Sequence, residues 1–265
     1  IRVPSAKGES MTFGTAIHYA LDGLFKELDN LKGGEEAKSL LTRKFTSAML
    51  SSKEAFTKEG LERRLYYGEE VLNKYYDEYA ETWKEQGEIK TELYLKNCEI
   101  DGVPIRGQID KVVINDKHVH VVDFKTGQFK YGKSKVKPPL VLEDNSDELN
   151  FEKRYGGDYW RQILFYKALI ESDNTQNLRV LSGEIDFIEP DGENHQKVKI
   201  MVNDDEYVFV KEQIKSVFAK IQNLEFEEGC EKDDCQWCTF NKHYNEQAHY
   251  AGDLLLHNES DEIDE

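Results

Sequence analysis

Residues 103–127, VPIRGQIDKVVINDKHVHVVDFKTG, decide the fold of this chain. Apolar and polar side chains alternate through most of this stretch, which predicts β-strands at Val103–Ile114 and His118–Lys125. Asn115-Asp116 between them is a typical turn dipeptide. The stretch therefore predicts two antiparallel strands joined by a tight turn.

The spacing within these strands brings charged side chains together. Because side chains alternate across a strand, Asp123 and Lys125 project from the same face. A two-residue loop at Asn115-Asp116 places residue 110 opposite residue 121, diagonal to Asp123. A four-residue loop places residue 110 directly opposite Asp123. In both registers Asp110 shares the face of Asp123 and Lys125.

Two carboxylates and an ammonium on one sheet face suggest metal-dependent chemistry. Carboxylate oxygens are ligands that Mg²⁺ or Mn²⁺ prefers, and a lysine beside the ion can position or activate a water for attack on a phosphodiester. On the residues alone, an exposed ladder of charges is the alternative, because 33% of the residues are charged.

The periodicity predicts mixed α/β organisation around the two strands. A period near 3.6 predicts a helical lead-in over residues 10–85, and a third strand, Thr91–Ile100, precedes the other two. Residues 126–157 predict a long loop. Beyond it the pattern predicts a helix at Asp158–Ser172, strands at Val180–Glu189 and Lys197–Val202, and a helix at Glu206–Leu224. We expect one domain over residues 1–250, with a catalytic core at 90–225, a cysteine segment at 226–244 and an acidic tail at 251–265.

Composition excludes several classes of protein. The 265 residues hold 52 Asp and Glu against 35 Lys and Arg, a net charge of −17, which excludes a generally basic nucleic-acid coat. No apolar stretch approaches the roughly 20 residues that a membrane span needs, so we expect a cytoplasmic protein without a membrane partner. The chain begins at Ile1 rather than Met, and we expect it to be part of a longer protein.

The strand motifs resemble a known family. Gly107-Gln108-Ile109-Asp110-Lys111 and Val121 to Gly127 resemble the core of the PD-(D/E)XK nuclease superfamily, and more narrowly its RecB-like branch. Two further motifs of that branch match in order: Gly14 to His18 resembles its G-x-x-x-H helix, and Gln162 to Tyr166 its Q-x-x-x-Y helix. The resemblance implies a restriction-endonuclease-like fold, a mixed central sheet flanked by helices.

The resemblance also implies a role for each residue. His18, Asp110, Asp123 and the main-chain carbonyl of Phe124 would hold Mg²⁺ or Mn²⁺. Lys125 would orient or activate the attacking water. Gln162 and Tyr166 would position Lys125 or contact the DNA backbone. Glu92, in the strand before this core, is a weaker candidate, and an exposed strand carboxylate is its alternative.

A basic segment, Lys125–Lys137, directly follows the catalytic strand. It contains five lysines and no acidic residue, with aromatic residues interleaved, a composition suited to a phosphate backbone and stacked bases. Lys130, Lys133 and Lys135 are therefore candidate DNA-binding residues. A solvated surface is the alternative.

The cysteine segment leaves three alternatives open. Cys230, Cys235 and Cys238 lie where RecB-like nucleases carry cysteines of a [4Fe–4S] cluster, but residue 244, where a further cysteine is expected, is Tyr. A remnant cluster completed from elsewhere, a zinc site with His243 as fourth ligand, and three reduced thiols are the possibilities.

Together the motifs predict a metal-dependent DNA nuclease. We expect an exonuclease acting on single-stranded or unwound DNA in recombination or repair, as a module of a helicase-nuclease whose helicase domain or subunit lies upstream. The alternative is a nuclease-fold module without catalysis that binds DNA or a partner helicase.

Overall fold

The structure is a computed structural model that describes residues 8–83, 86–140, 151–172, 177–225, 235–240 and 242–243. Its contacts divide the chain into two compact units, residues 1–214 and 215–265. The sheet and every motif identified in the sequence upstream of the cysteine segment belong to the first unit. The predicted single domain over residues 1–250 stays a prediction, and the acidic tail at 251–265 lies outside the described residues.

Three helices form the lead-in: α1 (Glu9–Glu27), α2 (Gly34–Ser51) and α3 (Lys58–Trp83). Their apolar faces meet in one core that also contains side chains of the sheet. Phe13, Phe45 and Tyr75 are among its fully buried residues. This core therefore fixes the lead-in against the sheet.

Five strands form one mixed sheet in the order β1-β2-β3-β4-β5. They are β1 (Glu88–Ile100), β2 (Val103–Asn115), β3 (His118–Lys125), β4 (Arg179–Asp191) and β5 (Asn194–Met201). Only the β3–β4 pair is parallel, and the other three pairs are antiparallel. The predicted fold class, a mixed central sheet flanked by helices as in restriction endonucleases, is confirmed.

The connection between β3 and β4 differs from the predicted loop. Within residues 126–157, the structure has two short helices, α4 (Phe129–Gly132) and α5 (Phe151–Tyr155). Gly132 lies so close to Phe187 that a Cβ there would be 2.7 Å from its ring, which shows that this part is packed onto the sheet. The loop prediction is therefore wrong for these residues, while residues 141–150 lie outside those described.

The turn between β2 and β3 fixes the register of the site. Asn115 pairs with His118, so Asp116 and Lys117 form the turn, and Asp116 is left-handed with φ +57°. The turn predicted at Asn115-Asp116 is therefore off by one residue, because Asn115 is still paired in β2 and Asp116 supplies the left-handed conformation. Continued along the strands, this register sets Asp110 directly opposite Asp123.

The two faces of the sheet carry different layers. Helix α6 (Asp158–Glu171) covers the face of Asp123, where Gly107 allows close approach: a Cβ there would lie 2.6 Å from Leu169 Cδ1. Phe124 and Val122 point to the opposite face, into the core with α1 and α3.

After β5, helix α7 (Asp204–Gln222) follows. No helix in the described part of the chain combines the length and hydropathy needed to cross a bilayer.

Candidate active site

Helix α1 carries His18 to the end of β3. Gly14, one turn before it, packs against the residue that follows β3: a Cβ on Gly14 would lie 3.1 Å from Thr126 Oγ1. At this close approach His18 Nε2 is 3.0 Å from the main-chain oxygen of Phe124. Its other ring nitrogen, Nδ1, is 3.4 Å from Asp110 Oδ1. The predicted helix histidine and strand carboxylate are thus brought together.

Asp110 and Asp123 lie side by side but have different partners. Asp110 Oδ2 accepts a hydrogen bond of 2.8 Å from the Phe124 main-chain N–H. Asp123 is only 2% exposed. Its Oδ1 accepts a hydrogen bond of 2.8 Å from the Tyr166 hydroxyl, and its Oδ2 lies 2.6 Å from Lys125 Nζ. Asp110 therefore faces His18, whereas Asp123 is held by Lys125 and Tyr166.

Helix α6 closes a ring of polar contacts around Lys125. Lys125 Nζ donates to Gln162 Oε1 over 2.9 Å, and Gln162 Nε2 donates to the Tyr166 hydroxyl over 2.8 Å. Gln162 and Tyr166 are four residues apart, so one helix face presents both. The ring Asp123, Lys125, Gln162, Tyr166 fixes the ammonium on both sides without filling all of its donor capacity.

Glu92 joins the site through an irregularity in β1. Thr91 pairs with Lys111 and Leu93 with Ile109, which sets Glu92 across from Asp110. Glu92 has φ +48°, a left-handed conformation inside the continuous strand. Gln108 Nε2 donates to its carboxylate. The sequence pattern favoured an ordinary strand carboxylate equally, because a single left-handed residue inside a strand leaves no local signal at this position.

Three of these side chains could hold a metal ion together. One ligand atom each from His18, Glu92 and Asp110 lie within 4.8 Å of one another. Asp123 is not part of that group among the described residues, since Lys125 and Tyr166 engage its oxygens. Carboxylate oxygens with one imidazole suit Mg²⁺ or Mn²⁺. The donor set present therefore fits a hard divalent cation.

Burial and neighbouring carboxylates together shift the pKa values of the site residues. Burial raises the pKa of the Asp123 carboxyl, and the nearby Asp110 raises it further, against Lys125 and Tyr166, which lower it. Burial likewise raises the pKa of Glu92, again with a contribution from Asp110. For His18, burial acts to lower the pKa, but Asp110 above all, with Asp123 and Glu92, raises it overall. Each shift has the sign expected where carboxylates crowd together before a cation binds.

Of the three predicted DNA-binding lysines, only Lys135 lies close to Lys125, through a shared contact with Tyr159. Lys135 is half-buried, and its Nζ lies 5.3 Å from the centre of the Tyr159 aromatic ring. Lys125 Nζ lies 4.5 Å from the centre of the same aromatic ring. Lys130 and Lys133 are exposed. Sequence reasoning did not single out Tyr159, because its partners lie 24 and 34 residues away along the chain.

The predicted cysteine site is only partly described. Cys230 lies outside the described residues. Among residues 235–240 and 242–243, Cys235, Cys238 and His243 do not come together as a three-ligand group. A zinc or iron–sulfur site in this segment stays a prediction.

Comparison with known proteins identifies a family for this chain. A model of the PD-(D/E)XK nuclease superfamily matches residues 2–242. None of the curated proteins matches the chain. A crystal structure of the protein SSO0001 is 13% identical and covers 76% of this chain and 84% of its own, with a TM-score of 0.31, which is too low to carry an argument. The family match includes the His18 helix, the Asp110 and Asp123 strands and the Gln162–Tyr166 helix.

Proposed function

This chain belongs to the PD-(D/E)XK nuclease superfamily, and from that premise we propose that it is a metal-dependent deoxyribonuclease. Nucleases of this superfamily use divalent metals. One observation carries the proposal: Asp110, Asp123 and Lys125 share one face and are linked to His18 and to Gln162 and Tyr166 by contacts of 3.4 Å or less. A module that only binds DNA would have no need to retain this set.

The charges at the site favour a divalent cation. Asp110, Asp123 and Glu92 supply three carboxylates, and Lys125 supplies the one ammonium that is paired with them in the described residues. Three carboxylates and one ammonium leave a net charge of −2, which one Mg²⁺ or Mn²⁺ would neutralise. Asp110, His18 and the Phe124 carbonyl would hold the ion together with Asp123, and Glu92 is a further ligand. When bound, the ion polarises the phosphodiester and lowers the pKa of a water.

Lys125 is the residue placed to act on the attacking water. Gln162 fixes its ammonium from one side and Asp123 from the other. One of its donors can therefore turn to a water or to a phosphate oxygen while the nitrogen stays in place. Tyr166 keeps Asp123 oriented during this step, because it donates to the oxygen that Lys125 does not contact.

The finer assignment follows the motifs of the RecB-like branch. We propose exonucleolytic cleavage of single-stranded or unwound DNA in recombination or repair, as a module that works with a helicase domain or subunit. The basic segment supports a DNA substrate, because its five lysines stand without an acidic residue in a chain of net charge −17. Lys130, Lys133 and Lys135 would contact phosphates.

Cleavage of defined DNA tests the proposal. Purified protein with Mn²⁺ is expected to degrade linear single-stranded DNA, and Asp123→Ala and Lys125→Ala are expected to abolish this activity. Equal release of nucleotides by wild type and Asp123→Ala would show that the proposed site is wrong. Calorimetric titration with Mn²⁺ distinguishes a module without catalysis, which should show no binding that depends on Asp110.

A second metal site in the cysteine segment is a separate proposal. Cys230, Cys235 and Cys238 would hold zinc together with His243, or a remnant [4Fe–4S] cluster with a further ligand. Analysis of the purified protein for zinc and iron tests it, because stoichiometric zinc or a brown iron-containing protein excludes three reduced thiols.

A further inference from the structure

The Tyr159 ring is shared by two lysines. Lys125 Nζ lies 4.5 Å and Lys135 Nζ 5.3 Å from its centre, both within cation–π distance. The two ammonium groups can thus be no farther apart than the sum of these distances. This limit keeps both cations within a short stretch of one nucleic-acid strand, along which phosphates follow one another every ~3.4 Å of rise.

Lys135 is held in place by its own backbone. The main-chain N–H groups of Tyr159 and Trp160 both donate to the Lys135 carbonyl oxygen over 3.0 Å, and Gly157 N–H donates to Lys137 over 2.9 Å. A Cβ on Gly157 would lie only 2.2 Å from the Lys135 oxygen. The start of α6, which also carries Gln162, therefore fixes the position of Lys135 relative to the site.

The other candidate lysines lack this arrangement. Lys130 and Lys133 are exposed, and Lys130 Nζ lies 5.0 Å from the centre of the Tyr131 ring, a side chain that is itself 73% exposed. Lys130 thus provides a matched control. It belongs to the same basic segment, has the same charge and also faces a tyrosine ring, but that ring does not contact Lys125 in the described structure.

We propose that Lys135 and Tyr159 form a subsite that binds the phosphate next to the scissile phosphate, an inference that rests on the nuclease function proposed above. Lys135 supplies the charge. Tyr159 is a positioning residue: its ring attracts both ammonium groups, which offsets their mutual repulsion and keeps them facing one strand. The subsite would align the scissile bond with Lys125, so its loss would affect cleavage more than overall affinity.

A scan with neutral linkages tests the subsite. Single-stranded oligonucleotides, each with one methylphosphonate at a different position, are cleaved by wild-type protein with Mn²⁺ under single-turnover conditions. We expect cleavage to slow about tenfold when the neutral linkage lies beside the cleaved bond, as for a lost charged hydrogen bond. Lys135→Ala should slow cleavage of unmodified DNA similarly and lose the sensitivity at that position. Lys130→Ala removes a phosphate contact elsewhere, so it should weaken DNA binding but keep the sensitivity to a neutral linkage beside the cleaved bond.

Variants of the ring complete the test. Tyr159→Phe keeps the ring and should behave as wild type, whereas Tyr159→Leu should weaken the position-specific effect at unchanged thermal stability. Position-specific sensitivity that persists in Lys135→Ala would overturn the subsite while leaving the nuclease function intact. Absence of any cleavage of unmodified DNA by wild type would instead remove the nuclease function, and the subsite with it.

Discussion

The sheet carries two buried triads of the same composition on opposite faces. On the α6 face, Asp123 contacts Lys125 at 2.6 Å and Tyr166 at 2.8 Å; on the face covered by α3, Asp186 contacts Lys197 at 2.6 Å and Tyr75 at 2.5 Å. Both carboxylates are almost fully buried, at 2% and 1% exposure. We call these the catalytic-face triad (Asp123, Lys125, Tyr166) and the core-face triad (Asp186, Lys197, Tyr75).

The triads differ in how the carboxylate oxygens are used. Lys125 and Tyr166 approach different oxygens of Asp123. Lys197 and Tyr75 both approach Oδ2 of Asp186, and no donor in the described residues approaches its Oδ1. A buried acceptor without a donor costs about 1–3 kcal/mol. In the core-face triad both partners thus share one carboxylate oxygen, whereas in the catalytic-face triad Tyr166 hydrogen-bonds Oδ1 and Lys125 lies 2.6 Å from Oδ2 as an ion pair.

Their surroundings differ in charge. Asp110, Glu92 and His18 surround the catalytic-face triad and leave it with an excess of negative charge. Around the core-face triad, Lys197 also approaches Glu184 at 3.5 Å, and its ammonium lies 3.9 Å from the centre of the Tyr79 ring. Among the described residues, neither Asp186 nor Glu184 belongs to a group of three metal-ligating side chains. The same three residue types thus lie in two different surroundings, and in the described residues only the catalytic face adds side chains that could hold a metal ion.

The two aspartates should give the largest contrast. Asp123→Asn is expected to lower the single-turnover cleavage rate with Mn²⁺ by at least about a thousandfold, because it removes charge where the ion stabilises the transition state. Asp186→Asn should leave the rate per folded molecule within about twofold and lower the free energy of unfolding in urea by about 1–3 kcal/mol. Similar losses of cleavage in both variants would show that the faces are not functionally distinct.

Substitutions of the two lysines should give the next largest contrast between loss of stability and loss of cleavage. Lys197→Met leaves Asp186 buried without its cation and should lower the free energy of unfolding by about 3–5 kcal/mol. Lys125→Met should slow cleavage by about 10²–10⁴-fold. It should also tighten Mn²⁺ binding measured by calorimetry, because Lys125 no longer competes for Asp123. Weaker Mn²⁺ binding in Lys125→Met would contradict competition between Lys125 and the metal ion for Asp123.

Lys111 should make the stability of the core face depend on pH. Burial, with repulsion from Lys197, lowers the pKa of Lys111 from 10.5 to about 7, against Asp186 and Glu184, which raise it. Between pH 7 and 10.5 the unfolded chain holds a proton here that the folded chain has lost, so this group makes stability rise with pH in that window and adds no slope below it. Lys111→Met should therefore stabilise by about 1–3 kcal/mol near pH 7, and the gain should shrink towards pH 10. Urea unfolding at several pH values measures the gain in the free energy of unfolding. Lys199→Met, at an exposed position, is the control. A gain for Lys111→Met that grew with pH would contradict the prediction.

The two tyrosines should give the smallest difference. Tyr75→Phe leaves Lys197 on the same oxygen of Asp186, so we expect a loss of only about 1 kcal/mol in the free energy of unfolding and unchanged cleavage. Tyr166→Phe removes the donor at Asp123 Oδ1 and should slow cleavage about tenfold at similar stability. Unfolding in urea and single-turnover rates, measured on both variants, distinguish the two outcomes; equal cleavage by both would place Tyr166 in a structural role only.

Much of this architecture can be predicted from the amino-acid sequence. The strands from Val103 to Lys125 were predicted to within one residue, because alternation of apolar and polar side chains is a local signal. The shared face of Asp110, Asp123 and Lys125 followed from the same alternation for a turn of either two or four residues. The turn itself was misplaced by one residue, since Asn115 still pairs with His118 and the turn is Asp116-Lys117.

The sequence by itself determined which residue types are present and which of them share a strand face or a helix face, because these depend on periodicities of two and 3.6 residues. Only the tertiary structure decided which of two Asp, Lys and Tyr sets lies beside Asp110, Glu92 and His18. It also decided that Glu92, left-handed within β1, lies beside His18 and Asp110, and that Tyr159 links Lys125 to Lys135. These contacts join residues far apart in the chain, and their distances are set by packing between layers, which no local pattern encodes.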